Sequence, residues 1–242
     1  MILRQHLKAI NDRARVAMNP QHLAAIRHAI ADLKTLGVEW ATLKPGQRAP
    51  DFALPDARGG QVNLGERLSR GPVVVSFYRG GWCPYCCAEL RALQLALPHL
   101  AGYGATLIAV SPELPDNSLS LAEKEALDFD ILTDLGNIAA RAYGLVFHVP
   151  DYLRATLLAL GVDLARLNGD DSWELPIPAT FLLSPNGIIR LAFADADHTE
   201  RLDPSVILEL LAEVSPANSS LGTGSLRATA GPDRNLNSPE ET

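Results

Sequence analysis

The sequence predicts an α/β fold in which helices cover both faces of a central mixed β-sheet. Residues 73–78 and 105–110 are runs of β-branched and apolar residues without polar alternation, which is typical of buried central strands. A helical segment separates the two runs, and a strand, a helix and a strand at this spacing form a parallel pair with a right-handed crossover. An Asn186-Gly187 turn interrupts the apolar residues 179–193, which predicts a β-hairpin.

Residues 1–43 are predicted to form an N-terminal helical extension. Apolar residues recur between Leu23 and Leu33 at the three- and four-residue spacing of an amphipathic helix. Pro20 marks the start of this helix and Gly37 marks its end. The stretch contains no group of residues that indicates chemistry.

Residues 44–214 are predicted to form the main domain. In chain order, its other elements are a turn at 56–60 between two short strands, helices at 120–127 and 137–143, and a closing helix at 204–214. The last segment, 215–242, is rich in Ser, Gly, Pro, Thr and Asn and has no hydrophobic period. It is therefore predicted to be a disordered tail.

Composition limits the classes of partner. Among 242 residues, 28 Asp and Glu outnumber 21 Lys and Arg, so the formal net charge is −7. This acidity argues against a nucleic-acid partner, since such binding needs a basic field. No run reaches the roughly 18 apolar residues of a membrane span, and the N-terminus carries charges where a signal peptide needs an apolar stretch. The sequence thus predicts no membrane partner and a cytoplasmic location, where thiols stay reduced.

The chain has three cysteines, Cys83, Cys86 and Cys87, all within five residues. This arrangement excludes a disulfide-stapled secreted scaffold. It also disfavours structural zinc, because a second cysteine or histidine pair is missing, although His148 or His198 leaves a soft-metal site open. The prediction is therefore a site without structural zinc, in which Cys87 is a partly buried spare thiol.

The residues around Cys83 are typical of a reactive dithiol. A buried strand ends at Tyr78, a glycine turn follows, and Pro84 starts a helix. Cys83 then lies near the helix N-cap, where free backbone N–H groups and the helix dipole stabilise a thiolate. Cys86 follows one turn later on an apolar stripe that faces the sheet. We therefore expect an exposed attacking thiol at Cys83 and a sheltered resolving thiol at Cys86, although Cys86 alone would also fit a small buried hydrophobe.

Four segments, in this order, resemble the peroxiredoxin-like branch of the alkyl hydroperoxide reductase and thiol-specific antioxidant (AhpC/TSA) family of the thioredoxin-fold group. They are residues 46–52, 77–86, 118–144 and 175–190. The resemblance implies a thioredoxin-like fold and a cycle in which a thiolate attacks hydrogen peroxide or an organic hydroperoxide and becomes a sulfenic acid. The second thiol then forms the Cys83–Cys86 disulfide, which thioredoxin, glutaredoxin or glutathione reduces without metal or cofactor.

The sequence departs from the family at three positions. If Cys86 takes the place of the attacking cysteine, Arg79 and Cys83 stand where typical members have Pro and Thr, and Pro178 stands where they have Arg. Residues 82–86 instead resemble the dithiol of thioredoxins and glutaredoxins. In those proteins a cis-proline faces the dithiol, so the peptide bond before Pro178 is expected to be cis.

The resemblance assigns supporting roles around the dithiol, and Arg79 would supply the cation that lowers a thiol pKa, with a surface salt bridge as its alternative role. The supporting residues are Arg79, Trp82, Pro84, Tyr85, Pro178 and Thr180.

Three questions stay open at this level. Helix-end physics favours Cys83 as the attacker, whereas the family alignment favours Cys86, and we choose Cys83. The alternatives to a peroxidase are a protein dithiol–disulfide oxidoreductase and a non-enzymatic redox sensor or metal-binding module. A homodimer is compatible with the N-terminal helices.

Overall fold

The computed structural model describes residues 3–214, so the predicted tail 215–242 lies outside the described residues. The helices are α1 (Leu3–Ala17), α2 (Pro20–Leu36), α3 (Leu64–Leu68), α4 (Pro84–Gly102), α5 (Pro115–Glu125), α6 (Ile138–Ala142), α7 (Asp151–Ala159), α8 (Leu164–Asn168) and α9 (Pro204–Val214). The strands are β1 (Ala53–Pro55), β2 (Gln61–Asn63), β3 (Val73–Phe77), β4 (Thr106–Ser111), β5 (Asp130–Thr133), β6 (Val146–His148), β7 (Glu174–Pro176), β8 (Ala179–Leu183) and β9 (Ile189–Ala194).

The central sheet has the strand order β5-β4-β3-β8-β9. The predicted β3–α4–β4 unit is confirmed, since β3 pairs parallel with β4. The hairpin is also confirmed, since β8 pairs antiparallel with β9. Because β8 also runs antiparallel to β3, the sheet is mixed, as predicted.

Helices pack on both faces of this sheet because successive β3 side chains point in opposite directions. Val74 belongs to a buried cluster that includes residues of α1, α4 and α9. Val75 belongs to the cluster on the other face, which includes residues of α3 and α6. Two small antiparallel sheets, β1–β2 and β6–β7, lie outside the central sheet.

The N-terminal helices α1 and α2 both pack against the rest of the chain, and α2 is capped at both of its ends. Asn19 caps α2 through its side-chain oxygen, and Gly37 ends the helix in the left-handed conformation at φ 62°. Leu3 and Leu7 of α1 are buried in the cluster that contains α4, and Ala29 of α2 is buried against the α7 region. The extension therefore lies over the start of α4 and beside α7.

The expected cis bond before Pro178 is wrong, since the described residues contain no cis peptide bond. The trans form is the ordinary state of an X–Pro bond, favoured by about 0.5–1 kcal/mol. Here it carries the extended chain from β7 directly into β8. A separate observation concerns membranes: none of the helices described for residues 3–214 has the length and apolar character needed to cross a bilayer.

Candidate active site

The segment between β3 and α4 brings Cys83 to the end of a helix. Gly80 has a φ of 149°, and a Cβ there would collide with the Trp82 indole and the Glu113 carboxyl group. Pro84 is the first residue of α4 and is exposed, and Cys83 is the N-cap residue. The Cys83 carbonyl accepts the backbone N–H of Cys87, which places the thiol at the positive end of the helix as the sequence predicts.

Arg79 lies beside the sulfur of Cys83. Its Nη2 is 3.1 Å from Cys83 Sγ, and its guanidinium stacks over the Trp82 ring with 4.9 Å between Cζ and the ring centroid. The arginine is buried, and no carboxylate within residues 3–214 forms a salt bridge with it. Its Nε is buried without a hydrogen-bond partner in the described part of the chain. The charge therefore acts on Cys83, and one N–H donor remains available.

A second arginine, Arg201, reaches the sulfur of Cys86. Its Nη2 is 3.4 Å from Cys86 Sγ. Its Nε donates to Glu89 Oε2 at 2.6 Å, and both side chains of this ion pair are almost fully buried. The other Glu89 oxygen accepts a hydrogen bond from Thr180 Oγ1 at 3.2 Å, which gives the predicted supporting residue Thr180 an indirect link to the dithiol.

The surroundings shift the pKa values of the two thiols in opposite directions. Burial raises the pKa of Cys83, but the hydrogen bond from Cys86 and the charges of Arg79 and Arg201 outweigh it, so this pKa lies well below its ordinary value. Burial and the neighbouring Cys83 sulfur raise the pKa of Cys86 well above its ordinary value. Of the two thiols, Cys83 therefore ionises more readily, and Cys86 keeps its proton more firmly.

The expectation that Cys83 is exposed is wrong, since the sulfur-bearing residues Cys83 and Cys86 are both 0% exposed. The reason is tertiary packing, because both cysteines belong to a buried hydrophobic cluster that includes residues of α1, α4 and α9. Tyr85, which is also buried, donates its hydroxyl to Asn11 Oδ1 of α1 at 2.7 Å. All three cysteines are free thiols in this state.

Cys87 has a different environment from the pair. Its Sγ donates to the carbonyl oxygen of Gly81 at 3.2 Å. Burial, followed by the negative charges of Cys83 and Glu125, raises its pKa to about 11. At neutral pH it is therefore a protonated thiol that supports the turn before Cys83.

Glu113 supports the same turn from behind, and sequence reasoning missed it. Its Oε2 accepts the backbone N–H of Gly81 at 2.7 Å. Burial raises the pKa of Glu113 to about 7, partly opposed by that hydrogen bond. The signal that could have found it is an acidic residue two positions after the end of a buried strand.

A cavity of about 560 Å³, hereafter the chamber, opens between the N-terminal helices and the dithiol segment. Arg79, Trp82 and Tyr85 form its inner wall, and Pro178 and His198 line it as well. The outer walls come from α1, α2, α7 and residues near Ile177, and their side chains are mainly apolar. The apolar wall includes Ile10, Ala14, Leu23, Ile26, Ile30, Leu153, Leu157 and Ile177.

His198 lines the chamber and lies edge-on to Tyr85, with 5.5 Å between ring centroids. Burial and the neighbouring charges of Arg79 and Arg201 hold the pKa of His198 well below its ordinary value, so it is neutral. Within residues 3–214, no group of three or more His, Cys, Asp or Glu side chains is placed to hold a metal ion.

The predicted site residues thus fall into two groups in space. Arg79, Trp82 and Tyr85 surround Cys83 and the chamber, whereas Thr180 acts on the Cys86 side through Glu89. Sequence reasoning missed Arg201. The signal that could have indicated it is Glu89, a carboxylate one turn after Cys86 on an otherwise apolar helix face, which needs a buried positive partner.

The fold and the site together define a thioredoxin-fold protein with a buried dithiol at a helix start. The profile of the AhpC/TSA family matches residues 45–192, which is more than half of the chain. The chain therefore belongs to the AhpC/TSA family, and the resemblance stated from its motifs is confirmed.

Named relatives agree with this assignment. Peroxiredoxin Bcp of Escherichia coli strain K12 is 33% identical over 103 residues, which are 43% of this chain and 65% of that protein. The match thus spans slightly less than two thirds of that relative. Chloroplastic peroxiredoxin Q of Sedum lineare is 25% identical over 180 residues, 74% of this chain and 84% of that protein.

A solved structure supports the fold. Peroxidoxin BcpB from Mycobacterium tuberculosis superposes with a TM-score of 0.56 at 22% identity, covering 71% of this chain and 98% of that one. The predicted thioredoxin-like fold is confirmed by this likeness.

Proposed function

We propose that this protein is a thiol peroxidase that reduces hydroperoxides through Cys83 and Cys86. The observation that carries the proposal is the Arg79 guanidinium, 3.1 Å from a Cys83 sulfur that it helps to keep ionised. A thiolate is the nucleophile in peroxide cleavage, and a guanidinium N–H can hold the peroxide oxygens in line with it. Family membership points to the same activity.

In the first step the Cys83 thiolate attacks the terminal oxygen of the hydroperoxide. The S–O bond forms as the O–O bond breaks, and Cys83 becomes a sulfenic acid. The leaving alkoxide takes a proton and departs as an alcohol. The guanidinium of Arg79, which lines the chamber, can donate hydrogen bonds to the peroxide oxygens during this step.

In the second step Cys86 resolves the sulfenic acid. Its thiolate attacks Cys83 Sγ, the S–S bond forms, and hydroxide leaves with the former Cys86 proton as water. The product is the Cys83–Cys86 disulfide. We expect a thioredoxin-type dithiol to reduce it in the cytoplasm, with glutaredoxin or glutathione as alternative reductants.

The chamber favours an organic hydroperoxide over hydrogen peroxide. Its wall is mainly apolar, and its inner end is Arg79, beside the reactive sulfur. An apolar substituent seated there loses contact with water, whereas hydrogen peroxide has no such group to bury. In this proposal residues 44–214 carry the chemistry and residues 1–43 wall the substrate site.

Stopped-flow mixing of the reduced protein with cumene hydroperoxide tests the proposal. We expect a rate constant far above that of free cysteine, a trapped sulfenic acid in Cys86→Ser, and none in Cys83→Ser. Cys87→Ser is the matched control and should react like the parent protein. A parent rate no higher than that of free cysteine would refute the peroxidase. Sulfenic acid formation at full rate in Cys83→Ser would instead make Cys86 the attacker.

A dithiol–disulfide oxidoreductase is the second candidate. The supporting observation is the Cys-x-x-Cys pair at the start of α4, with a low pKa at the N-cap cysteine and a high one at its partner. If the oxidised protein reacts with protein thiols faster than the reduced protein reacts with peroxide, this function takes precedence.

A further inference from the structure

The chain segment before α9 brings a second guanidinium to the dithiol. Arg201 Nη2 lies 3.4 Å from Cys86 Sγ, although the two residues are 115 positions apart. We propose that Arg201 is a catalytic residue for the steps in which Cys86 is a thiolate, namely formation and reduction of the Cys83–Cys86 disulfide. The proposal rests on the proposed dithiol chemistry and adds a group dedicated to its second sulfur.

The guanidinium of Arg201 is fixed from three sides. Its Nε donates to Glu89 at 2.6 Å, and its Nη1 donates to the carbonyl oxygens of Glu200, at 2.7 Å, and His198. These partners leave Nη2 to face Cys86. The side chain is only 1% exposed, so little water competes for this N–H.

Reduction of the disulfide places a charge at that position. A reductant thiolate attacks Cys83 Sγ, the S–S bond breaks, and its electron pair moves to Cys86 Sγ. The reductant's second thiol then attacks the mixed disulfide, which releases Cys83 as a thiolate and the reductant as a disulfide. Cys86 accepts a proton at the end of the sequence.

The mixed disulfide removes the charge that opposes ionisation of Cys86. While Cys83 is bonded to the reductant, it carries no negative charge. The positive charge of Arg201, next to the Cys86 sulfur, then favours the Cys86 thiolate without opposition from Cys83. A buried anion without a charged partner is costly, and a leaving thiol with a lower pKa departs faster. Arg201 therefore accelerates the departure of Cys86 and, by microscopic reversibility, its attack on the sulfenic acid.

The peroxide step depends less on Arg201. During that step Cys83 is the thiolate and Cys86 stays protonated. The charge of Arg79 lowers the pKa of Cys83 more than the charge of Arg201 does. Loss of the Arg201 charge should therefore affect disulfide chemistry more than peroxide cleavage. This asymmetry separates a catalytic role from a purely structural one.

The test compares Glu89→Gln with the pair Glu89→Gln/Arg201→Gln. Both variants lack the Glu89 charge, so they differ only in the guanidinium, and no unpaired carboxylate remains buried. The disulfide is formed with diamide and reduced with dithiothreitol at neutral pH, with acid quenching and thiol alkylation. We expect reduction of the pair variant to be slower by about tenfold or more, with Arg201→Lys close to the parent protein.

Two further measurements complete the test. In a Cys83→Ser/Cys87→Ser background, the ultraviolet absorbance of the Cys86 thiolate should titrate at a higher pH in the pair variant than in Glu89→Gln. Stopped-flow oxidation by cumene hydroperoxide should change by only a few-fold. If the amide pair does not fold, Glu89→Leu/Arg201→Met takes its place, because apolar residues often replace buried ion pairs without loss of stability.

Equal rates of disulfide reduction in Glu89→Gln and the pair variant would overturn the proposal. So would a pair variant in which reduction and peroxide oxidation slow by the same factor. Because diamide forms the disulfide, this test remains interpretable even if the parent protein fails to react with peroxide. That failure would count against the proposed peroxidase alone.

Discussion

Cys83 and Cys86 lie one helical turn apart, and each has an arginine at its sulfur, but the two arginines are held differently. Arg79 stacks on Trp82, faces the chamber and keeps a free Nε. Arg201 is fixed by Glu89 and by two backbone carbonyls. A guanidinium that lines a cavity is placed to bind substrate, whereas one held by three partners is placed to stabilise negative charge on the sulfur that it contacts. The comparison suggests that the two half-reactions are divided between the two arginines.

The largest effect is expected from Arg79→Met. Without this charge and hydrogen bond, the pKa of Cys83 rises and peroxide oxygens lose a donor, so the rate constant with cumene hydroperoxide should fall by about tenfold to hundredfold at neutral pH. Stopped-flow fluorescence measures this rate.

The matched control for that change is Arg154→Met. Arg154 also stacks on a tryptophan, Trp173, with 5.2 Å between Cζ and the ring centroid, but it does not contact the dithiol. Its rate should equal that of the parent protein. Equal losses in the two variants would remove the special role of Arg79.

The pH dependence sharpens the same contrast. Because the pKa of Cys83 lies well below its ordinary value, the peroxide rate should begin to fall at a lower pH than the rate of free cysteine does. Free cysteine should lose about tenfold in rate per pH unit once the pH is below its pKa of about 8.5. In Arg79→Met the decline should begin at higher pH. A parent protein that follows free cysteine would contradict the assignment of the thiolate to Cys83.

Ala14→Phe tests whether the chamber beside Arg79 binds the apolar part of the substrate. Ala14 of α1 lines the chamber, and a phenyl ring there occupies space that an apolar substituent would need. We expect KM for cumene hydroperoxide to rise several-fold, while the rate with hydrogen peroxide stays unchanged. Ala9→Phe, on an exposed position of the same helix, is the control. A loss that is equal for both peroxides would argue against a substrate chamber.

The smallest effect is expected from a change at the contact between α1 and α4, near both cysteines. Tyr85→Phe removes the hydrogen bond to Asn11, which should lower the free energy of unfolding by about 1 kcal/mol. Because α1 is then bound less tightly to α4, the dithiol should be exposed more often, and iodoacetamide should alkylate Cys83 somewhat faster. Urea unfolding and mass spectrometry measure the two quantities. An unchanged alkylation rate would show that α1 does not limit access.

Local patterns predicted the parts of the fold that they encode directly. The β3–α4–β4 unit, the β8–β9 hairpin, α2 and α9 follow from apolar periodicity and from turn or capping residues within each segment. Local patterns did not reveal α3, α7, α8, β5, β6 or β7. All of these except α7 have five residues or fewer, so their positions depend on packing rather than on a strong local period.

The candidate site divides in the same way. Cys83 at the helix start and Arg79 four residues earlier lie within one segment, so their proximity could be predicted. The burial of Cys83 could not, because the hydrophobic cluster that contains it includes residues from distant elements such as α1 and α9. Arg201 could not be predicted either, since its place depends on how the chain returns to α9 after the hairpin.

The sequence by itself determined the family, the βαβ unit and a dithiol whose first cysteine caps a helix, because short-range spacing sets which backbone N–H groups and which dipole face the Cys83 thiol. The tertiary structure decided that both sulfurs are buried, that each meets its own guanidinium, and that a mainly apolar chamber adjoins Arg79. These properties depend on charge and burial contributed by distant segments. Since thiol pKa values follow the local field and the exclusion of water, the arginines that oppose the effect of burial on the pKa of Cys83 become apparent only in the folded chain.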